Sequence, residues 1–389
     1  MRTLKKIKNV FLFFLSSSKR RGLSYLFYLF PIERNKIVIT NYYGKGYGDN
    51  AKYILQELIK MDKKVDVVWL VNDLNYSDSM PPYIRLVKYG SIKSLYELST
   101  SKIWIDNSRK SLYSLKKKKQ IYIQTWHGSI SLKKIEKDAQ NKLNYFYVRN
   151  AKIDSKMADY FISNGKFSTE MYRNSFWFKG EILEYGTPRC DVLINPPLKN
   201  KKVKDNFKIS YEKKIILYAP TFRKVSNSEV YRIDFKKLNA SLKERFGGEW
   251  VILIRMHPNE TNLISLASND EYEIYDASLY DDMYELLSET DVLITDYSSS
   301  MFEFSYTNKP VFLFARDIED YKKDRDFYFD IYSLPYKISK NNKELGENIK
   351  EFRYEEYQKK LKMFKDKLSI LEDGNSSKKV AELIYKIIN

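Results

Sequence analysis

The sequence is poor in cysteine and histidine, and each scarcity argues against a class of site. Its 389 residues include one cysteine, Cys190, and two histidines. A single cysteine cannot form a disulfide within the chain and is typical of a protein in a reducing compartment. Two distant histidines and one cysteine do not make a usual zinc site, so we expect no metal and no cofactor. No Gly-x-Ser-x-Gly segment is present, which argues against a serine hydrolase of that type.

Positive charge is what the chain has in excess. Lysine and arginine number 68 against 50 aspartate and glutamate residues, a formal net charge of +18. Such an excess favours nucleic acid, an anionic membrane or a phosphorylated substrate as the partner. The sequence contains no zinc-finger spacing, RNP-type aromatic pattern or basic zipper, so we predict no nucleic-acid binding.

Residues 1–35 mix basic residues with two apolar bursts. The run Val10–Leu15 is too short to span a bilayer, and the basic Lys19–Arg21 interrupts the sequence after it. A secretory signal peptide would need a longer apolar core and small residues at a cleavage site. We therefore predict an interfacial helix with a polybasic flank, which makes this a peripheral protein on the cytoplasmic face of the cell membrane. A helix packed on its own domain is the alternative.

The rest of the chain alternates strand-like and helix-like stretches, which predicts an α/β fold with parallel sheets. The length favours two domains, and the Pro- and Lys-rich stretch after GTPRCD (Gly186–Asp191) is the predicted boundary. We predict an N-terminal domain over 36–195 and a C-terminal domain over 210–389. The predicted strands are Lys36–Tyr43, Asp66–Val71, Ile84–Tyr89, Ile103–Asp106, Ile121–Thr125, Asp159–Ser163, Ile215–Ala219, Val251–Arg255, Asp291–Thr295 and Val311–Phe314.

The loop GKGYGDN, Gly44–Asn50, follows the first predicted strand. It is not a Walker loop, because no Gly-Lys-Ser/Thr ends it, and its glycines have the wrong spacing for a dinucleotide fingerprint. Two interpretations stay open for it: a loop that lines a ligand cleft, and a tight turn from strand to helix.

Each half of the chain places its one histidine directly after a predicted strand. His127 lies in QTWHG, and His257 lies in RMHPN, two residues after Arg255. Open α/β sheets bind ligands at this end of their strands. Histidine is suited to proton transfer near neutral pH and, when charged, to donating to phosphate. A histidine packed within a core is the alternative.

The stretch DVLITDYSSSMFEF, Asp291–Phe304, predicts a short strand, an acidic turn and a helix that begins at serines 298–300. Unpaired N–H groups at a helix start, together with serine hydroxyls, make an anion site. An ordinary helix cap is the alternative. The arginines predicted at the same edge, among them Arg189 and the last residue of YAPTFR (Tyr218–Arg223), suit phosphate oxygens.

These motifs occur in a specific order: QTWHG followed by LKK, then GTPR, YAPTFR, RMHP, TDYSS and DGNSS. The ordered set resembles the CDP-glycerol:poly(glycerophosphate) glycerophosphotransferase family of Gram-positive teichoic acid synthesis and its capsule relatives, from about residue 36 to the end. The resemblance implies a GT-B architecture, with two Rossmann-like domains facing a central cleft and the nucleotide held mainly by the second. It also implies transfer of glycerol phosphate from CDP-glycerol to a hydroxyl of a lipid-linked, polyanionic acceptor or growing polymer, with release of CMP.

The resemblance further implies roles for single residues. His127 and His257 are the expected catalytic residues, with His127 as the base. The implied substrate-binding residues are Trp126, Gly128, Ser129, Arg189, Pro220, Thr221, Arg255, Met256, Ser298, Ser299 and Glu303.

Two positions depart from the family pattern. The family often has aspartate where this chain has Glu303. WHGSISLKK also has one more residue before its lysines than the WHGTPLKK of the glycerol enzymes, a longer spacing that ribitol-transferring and capsular relatives share. CDP-ribitol is therefore an alternative donor. A sugar transferase that uses a nucleotide-sugar, and a basic binding protein without enzymatic activity, are further alternatives.

Overall fold

The computed structural model describes residues 19–61, 64–75, 80–128, 130–196, 201–223, 228–256, 272–324 and 326–389. The contacts within the chain divide it into two units. Unit 1 comprises Met1–Ser129, Glu136–Arg189 and Leu371–Asn389, and unit 2 comprises Ile130–Ile135 and Cys190–Ile370. Each unit is built on one parallel sheet, so the predicted α/β fold class with parallel sheets is confirmed.

The strands of unit 1 form a seven-stranded sheet in the order β3-β2-β1-β4-β5-β6-β7, and those of unit 2 form a six-stranded sheet in the order β10-β9-β8-β11-β12-β13. In unit 1 they are β1 (Glu33–Thr40), β2 (Asp66–Val71), β3 (Ile84–Lys88), β4 (Ser101–Asp106), β5 (Ile121–Gln124), β6 (Tyr160–Ile162) and β7 (Glu181–Leu183). In unit 2 they are β8 (Lys214–Tyr218), β9 (Trp250–Ile254), β10 (Ile274–Asp276), β11 (Val292–Thr295), β12 (Val311–Phe314) and β13 (Lys337–Ser339).

The α-helices connect these strands. They are α1 (Asp49–Met61), α2 (Ile92–Thr100), α3 (Tyr145–Met157), α4 (Lys166–Ser175), α5 (Asp191–Ile194), α6 (Lys202–Phe207), α7 (Phe235–Phe246), α8 (Met283–Glu289), α9 (Ser300–Phe304), α10 (Ile318–Asp324), α11 (Asn342–Lys350), α12 (Tyr354–Leu368) and α13 (Ser376–Ile388). In addition, residues 19–27 are helical.

The central strands are continuous apolar runs because both faces of a parallel sheet are covered. All five residues of β9 are buried, and so are the last five of β2. In each sheet the strand order reverses once, between β1 and β4 and between β8 and β11. Loops diverge at such a switch point, and open α/β sheets generally bind their ligands there, at the carboxyl ends of the strands.

The strands predicted from apolar runs are all present, with ends that differ by at most three residues. The strands β7, β10 and β13 were not predicted. Each of these strands has three residues, one of which is charged, so the sequence contains no apolar run that would predict it.

The predicted domain limits stay a prediction. The last helix, however, makes its contacts with unit 1, although the predicted limits assign it to the C-terminal domain. Helix α13 packs against α1, and both contribute to the core of unit 1. Four apolar residues of α13 share this core, namely Val380, Ala381, Ile384 and Ile388. The range 210–389 therefore includes a helix that belongs to unit 1 by its contacts.

Residues 19–27 pack on unit 1 through one side of the helix. The Ser24 hydroxyl donates to the Tyr113 carbonyl at 2.7 Å, and the rings of Phe27 and Phe30 meet the edge of Tyr96. This part of the amino-terminal segment therefore matches the alternative of a helix packed on its own domain. The apolar run Val10–Leu15 lies outside the described residues. No helix in the described part of the chain is both long and apolar enough to cross a membrane.

Candidate functional site

The candidate base His127 lies in the loop after β5 in unit 1. Its Nδ1 lies 2.6 Å from the backbone oxygen of Asn107, which follows β4. A carbonyl only accepts, so Nδ1 carries the proton and Nε2 keeps its lone pair. Burial lowers the pKa of His127, and the nearby Arg189 charge lowers it further, against the opposite effect of the bond to Asn107. The imidazole is therefore neutral at pH 7 and able to accept a proton.

Trp126 fixes the plane of this imidazole. The two rings stack with centroids 4.2 Å apart and an interplanar angle of 28°. The backbone of Trp126 has φ +53°, a left-handed conformation that is rare for a bulky residue. Its N–H donates to the Gln124 side chain at 2.8 Å. Such strain is held in place by its surroundings and is common at functional sites.

Arg189, a predicted substrate-binding residue, is buried and paired within unit 1. Its Nη1 forms a salt bridge with Asp49 and lies 3.3 Å from the Tyr42 hydroxyl, which donates to Asp49 at 2.8 Å. Burial raises the pKa of Asp49, but the Arg189 charge and several hydrogen bonds outweigh it, so the pKa is lowered and the carboxylate is charged. No sequence pattern predicted this role of Asp49, although the residue lies in the GKGYGDN loop.

The GTPR loop that carries Arg189 rests on the DGNSS segment near the end of the chain. Gly186 has φ +96°, and a Cβ there would overlap the Ser376 hydroxyl. The Thr187 N–H donates to Glu372 at 3.0 Å, and the Ser377 hydroxyl donates to the Pro188 carbonyl at 3.0 Å. The GTPR motif and the segment around DGNSS, which are far apart in sequence, are therefore held together by hydrogen bonds in unit 1.

A buried arginine lies under Trp126. Arg109 pairs with Asp154 at 3.0 Å and with Glu136 at 2.7 Å, and its guanidinium carbon is 5.2 Å from the centre of the Trp126 ring. Gly128, also a predicted site residue, is buried, and its carbonyl accepts from the Tyr172 hydroxyl at 3.3 Å. The predicted residue Ser129 lies outside the described residues.

In unit 2, the loop after β8 is joined to the loop after β11 by the Asp296 carboxylate. This carboxylate accepts from the Thr221 N–H at 2.9 Å and from Arg223 at 2.7 Å. Arg223 also donates to Asp317 at 2.6 Å. The guanidinium that the sequence suggested for phosphate is thus engaged by two carboxylates, because the fold brings Asp317 beside it. Pro220 is buried in the same loop, and the buried Thr221 Oγ1 has no hydrogen-bond partner in the described part of the chain.

Of the serines after β11, Ser298 and Ser299 are half-buried and Ser300 is buried. Ser298 Oγ accepts from the N–H of Ser300 at 3.3 Å and lies 2.9 Å from its hydroxyl, while Ser299 precedes the first residue of α9. The predicted helix start is therefore present, but α9 has only five residues and adds little dipole. Glu303 is buried and accepts from the Tyr284 hydroxyl.

Arg255 and Met256 follow β9. Arg255 Nη1 donates to the backbone oxygens of Ala277 and Tyr280, the first at 3.1 Å, and so braces the loop after β10. Met256 is buried, and its N–H donates to the Ser278 hydroxyl at 3.0 Å. The predicted catalytic residue His257 lies outside the described residues.

Asp282 is the N-cap residue of helix α8. Asp282 accepts from the Tyr284 N–H at 2.8 Å. Among the described residues, no group of three or more histidine, cysteine, aspartate or glutamate side chains is placed to hold a metal ion.

Two doubly wound sheets with polar loops at the switch points define a class of α/β proteins that bind ligands at the carboxyl ends of their strands. Within this class, the chain belongs to the CDP-Glycerol:Poly(glycerophosphate) glycerophosphotransferase family, whose model matches residues 23–386. The family named from the ordered motifs is therefore confirmed.

Individual relatives support this assignment. A teichoic acid poly(glycerol phosphate) polymerase of Staphylococcus epidermidis is 33% identical over 412 residues, covering 100% of this chain and 55% of that protein. A polymerase of the same name from Bacillus spizizenii is 33% identical over 373 residues, covering 91% of this chain and 93% of the relative. The solved wall teichoic acid polymerase TagF superposes with a TM-score of 0.81 at 33% identity, over 99% of this chain and 97% of the other. The chain thus spans about half the length of some curated relatives and nearly all of others.

Proposed function

We propose that the protein transfers glycerol phosphate from CDP-glycerol to a hydroxyl of a lipid-linked acceptor or a growing teichoic acid or capsule polymer, and releases CMP. The observation that carries the proposal is the neutral imidazole of His127, with Nδ1 fixed by Asn107 and Nε2 available as a base. Family membership supports the donor, as does a histidine-to-asparagine variant of TagF solved with CDPG. We further propose the GT-B arrangement, in which two Rossmann-like domains face a central cleft.

In the proposed reaction, His127 Nε2 takes the proton of the acceptor hydroxyl as its oxygen attacks the phosphorus that carries glycerol. The bond from this phosphorus to the CMP oxygen breaks, and CMP leaves with the electron pair. General base catalysis of this kind accelerates a reaction roughly 10²–10⁴-fold. The remaining proposed substrate-binding residues are Trp126, Gly128, Ser129, Arg189, Pro220, Thr221, Arg255, Met256, Ser298, Ser299 and Glu303.

The proposed contacts to the donor lie mainly in unit 2. His257 and Arg255 neutralise pyrophosphate charge, the part that a metal ion plays in other phosphoryl transferases. The hydroxyls of Thr221, Ser298 and Ser299 donate to phosphate oxygens. The unpartnered state of Thr221 Oγ1 within the described residues supports this role, because a buried hydroxyl is normally hydrogen-bonded.

Replacing the proposed base is the decisive test. His127→Ala should reduce CMP release at least a hundredfold while CDP-glycerol still binds, because the donor contacts lie elsewhere. The acid limb of the turnover profile should lie below the ordinary histidine pKa of about 6.5, because burial lowers the pKa of His127. Retained turnover in His127→Ala would remove this residue from the base role.

The serine contacts need a separate measurement. The double variant Ser298→Ala and Ser299→Ala should weaken CDP-glycerol binding roughly tenfold, because two donors to phosphate are lost. Ser333→Ala, an exposed hydroxyl elsewhere in unit 2, is the matched control. Unchanged affinity in the double variant would relocate the phosphate site.

A ribitol phosphate transferase is the second candidate, because the longer spacing after His127 also fits it. A teichoic acid ribitol-phosphate primase of Bacillus spizizenii is 29% identical over 383 residues. Incubation with CDP-glycerol, CDP-ribitol and UDP-sugars, with measurement of the released nucleotide, separates these activities. Release of UDP alone would indicate the sugar transferase instead.

We also propose that the protein binds the cytoplasmic membrane surface peripherally through the amino-terminal helix. The helix exposes Tyr25 and Leu26 together with the basic Lys19 and Arg21, and the turn that follows it exposes Leu29 at 83%. Apolar residues flanked by basic ones favour an anionic bilayer.

Flotation with anionic vesicles tests this membrane proposal. Leu26→Asp with Leu29→Asp should release the protein from the vesicles, whereas Met363→Asp, another exposed apolar position, should leave it bound. Equal binding of both variants would contradict the proposal.

A further inference from the structure

The end of the GKGYGDN loop joins the two motifs of unit 1 that carry the proposed chemistry. Asn50 Nδ2 donates to the backbone oxygen of Trp126 at 3.1 Å, and Asn50 Oδ1 accepts from the Arg189 N–H at 3.1 Å. One side chain therefore bridges the QTWHG loop and the GTPR loop. Its neighbour Asp49 forms the salt bridge with the Arg189 guanidinium.

The backbone of this loop is held in an unusual conformation. Asp49 has φ +57° and Tyr42, which donates to its carboxylate, has φ +40°. Left-handed backbone costs about 1–3 kcal/mol at a non-glycine residue and persists only where the surroundings determine it. The salt bridge to Arg189 and the bridge through Asn50 are the contacts that hold it here.

We propose that Asp49 and Asn50 are positioning residues for the proposed base: Asn50 fixes the loop of His127 to that of Arg189, and Asp49 holds the Arg189 guanidinium and balances its charge. Neither residue is required to touch substrate for this role. The GKGYGDN loop thereby gains a function that is neither phosphate binding nor a simple turn, and this function rests on the proposed role of His127.

The charges that face His127 can be named. Arg189 disfavours the imidazolium, and the carboxylates of Asp49 and Glu136 favour it. Arg109 lies beyond the stacked Trp126 and is itself paired with Glu136. Loss of the Asp49 charge thus leaves Arg189 unbalanced and should lower the pKa of His127, whereas loss of the Arg189 charge should raise it.

Asp49→Asn is the informative variant, because asparagine tolerates φ > 0 and keeps the shape of the side chain. The chain has only two histidines, so their imidazole signals in an NMR titration can be assigned with a His257→Gln variant. We expect the pKa of His127 to fall in Asp49→Asn and to rise in Arg189→Gln. The acid limb of the kcat/KM profile should move in the same direction.

Asp66→Asn is the matched control. Asp66 also pairs with an arginine, Arg85 at 2.7 Å, but at the first residue of β2, the opposite end of the sheet. It should leave the pKa of His127 and the rate unchanged. An unchanged pKa in both Asp49→Asn and Arg189→Gln, or an equal change in Asp66→Asn, would overturn the proposal.

Asn50→Ala tests the bridge by turnover, with an expected roughly tenfold loss of kcat and little change in KM. Unchanged kcat would exclude the positioning role of Asn50. The titration needs no turnover, so it separates failure of this inference from failure of the proposed function, which His127→Ala tests. If Asp49→Asn does not fold, the pKa change in Arg189→Gln still decides the electrostatic part.

Discussion

Both units place a buried arginine between two carboxylates and under aromatic rings, close to the predicted site residues. In unit 1, Arg109 pairs with Asp154 and Glu136. In unit 2, Arg223 pairs with Asp296 and Asp317, and its guanidinium carbon lies 4.8 Å from the centre of the Tyr297 ring. The same construction therefore occurs twice.

The two arginines differ in the loops that their carboxylate partners contact. Asp296 belongs to the TDYSS motif and accepts the Thr221 N–H, so Arg223 fixes the two proposed donor-binding loops directly. Asp154 and Glu136 lie outside the QTWHG loop, and Arg109 contacts that loop at the face of the Trp126 ring. We infer that unit 2 depends on ion pairs to shape its loops, whereas unit 1 uses them to support a loop shaped by its own backbone.

Backbone conformation shows the same contrast. In unit 2, the described non-glycine residues with positive φ are Lys208, Asn308 and Ser369, and each ends a helix. In unit 1, Trp126 adopts positive φ in the loop that carries His127, and Asp49 adopts it at the first residue of α1 rather than at the end of a helix. Helix ends commonly take this conformation, but loops of bulky residues do so only under constraint.

Removing the arginines should give the largest effects. Arg109→Met should lower the free energy of unfolding by about 3–5 kcal/mol, because two buried carboxylates lose their cation, and Arg223→Met should lower it by about 3 kcal/mol, because Asp296 is buried but Asp317 only half-buried. Calorimetric titration with CDP then separates them: Arg223→Met should weaken CDP binding and Arg109→Met should not. Arg232→Met, an exposed arginine in unit 2, is the control. Equal loss of CDP binding in both buried variants would remove the contrast between the units.

A smaller effect is expected from glycine substitutions. Gly186→Ala in unit 1 should lower the free energy of unfolding by about 2–4 kcal/mol, because φ is positive and Cβ would overlap Ser376. Adding Ser376→Ala should restore only the part of the lost free energy that comes from the overlap, because the unfavourable backbone conformation at residue 186 remains. In unit 2, Gly346→Ala places Cβ 3.0 Å from the Ser241 hydroxyl within a helix and should be nearly neutral in chemical denaturation. Equal losses would show that backbone strain does not distinguish the units.

The smallest expected effect comes from relieving backbone strain at a residue with positive φ in each unit. Ser369→Gly, at the end of α12 with φ +49°, should raise the free energy of unfolding by about 0.5–1 kcal/mol and leave turnover unchanged. Asp49→Gly relieves similar strain but removes the partner of Arg189, so turnover should fall. Measuring both properties for both variants tests whether the strain of unit 1 is tied to function.

Local patterns predicted most of the strands and placed the candidate site residues in loops that follow them. They did not reveal the partners of the arginines, because Asp49 and Arg189 are 140 residues apart and become neighbours only through the topology. For the same reason, Asn107 could not be recognised as the acceptor for His127. Nor does the local sequence of α13 show that this helix packs against α1 in unit 1, because that contact also depends on the topology.

The docking of α13 on α1 also has a consequence for biogenesis. During translation, α1 and the strands of unit 1 are synthesised before unit 2, and Ser376–Ile388 is synthesised last. The apolar surface of α1 that α13 covers therefore stays exposed to solvent while unit 2 is being synthesised. This exposed surface is a binding site for chaperones during that interval. A truncated polypeptide that ends before Ser376 would keep the surface exposed, so its unit 1 would be prone to aggregation and proteolysis.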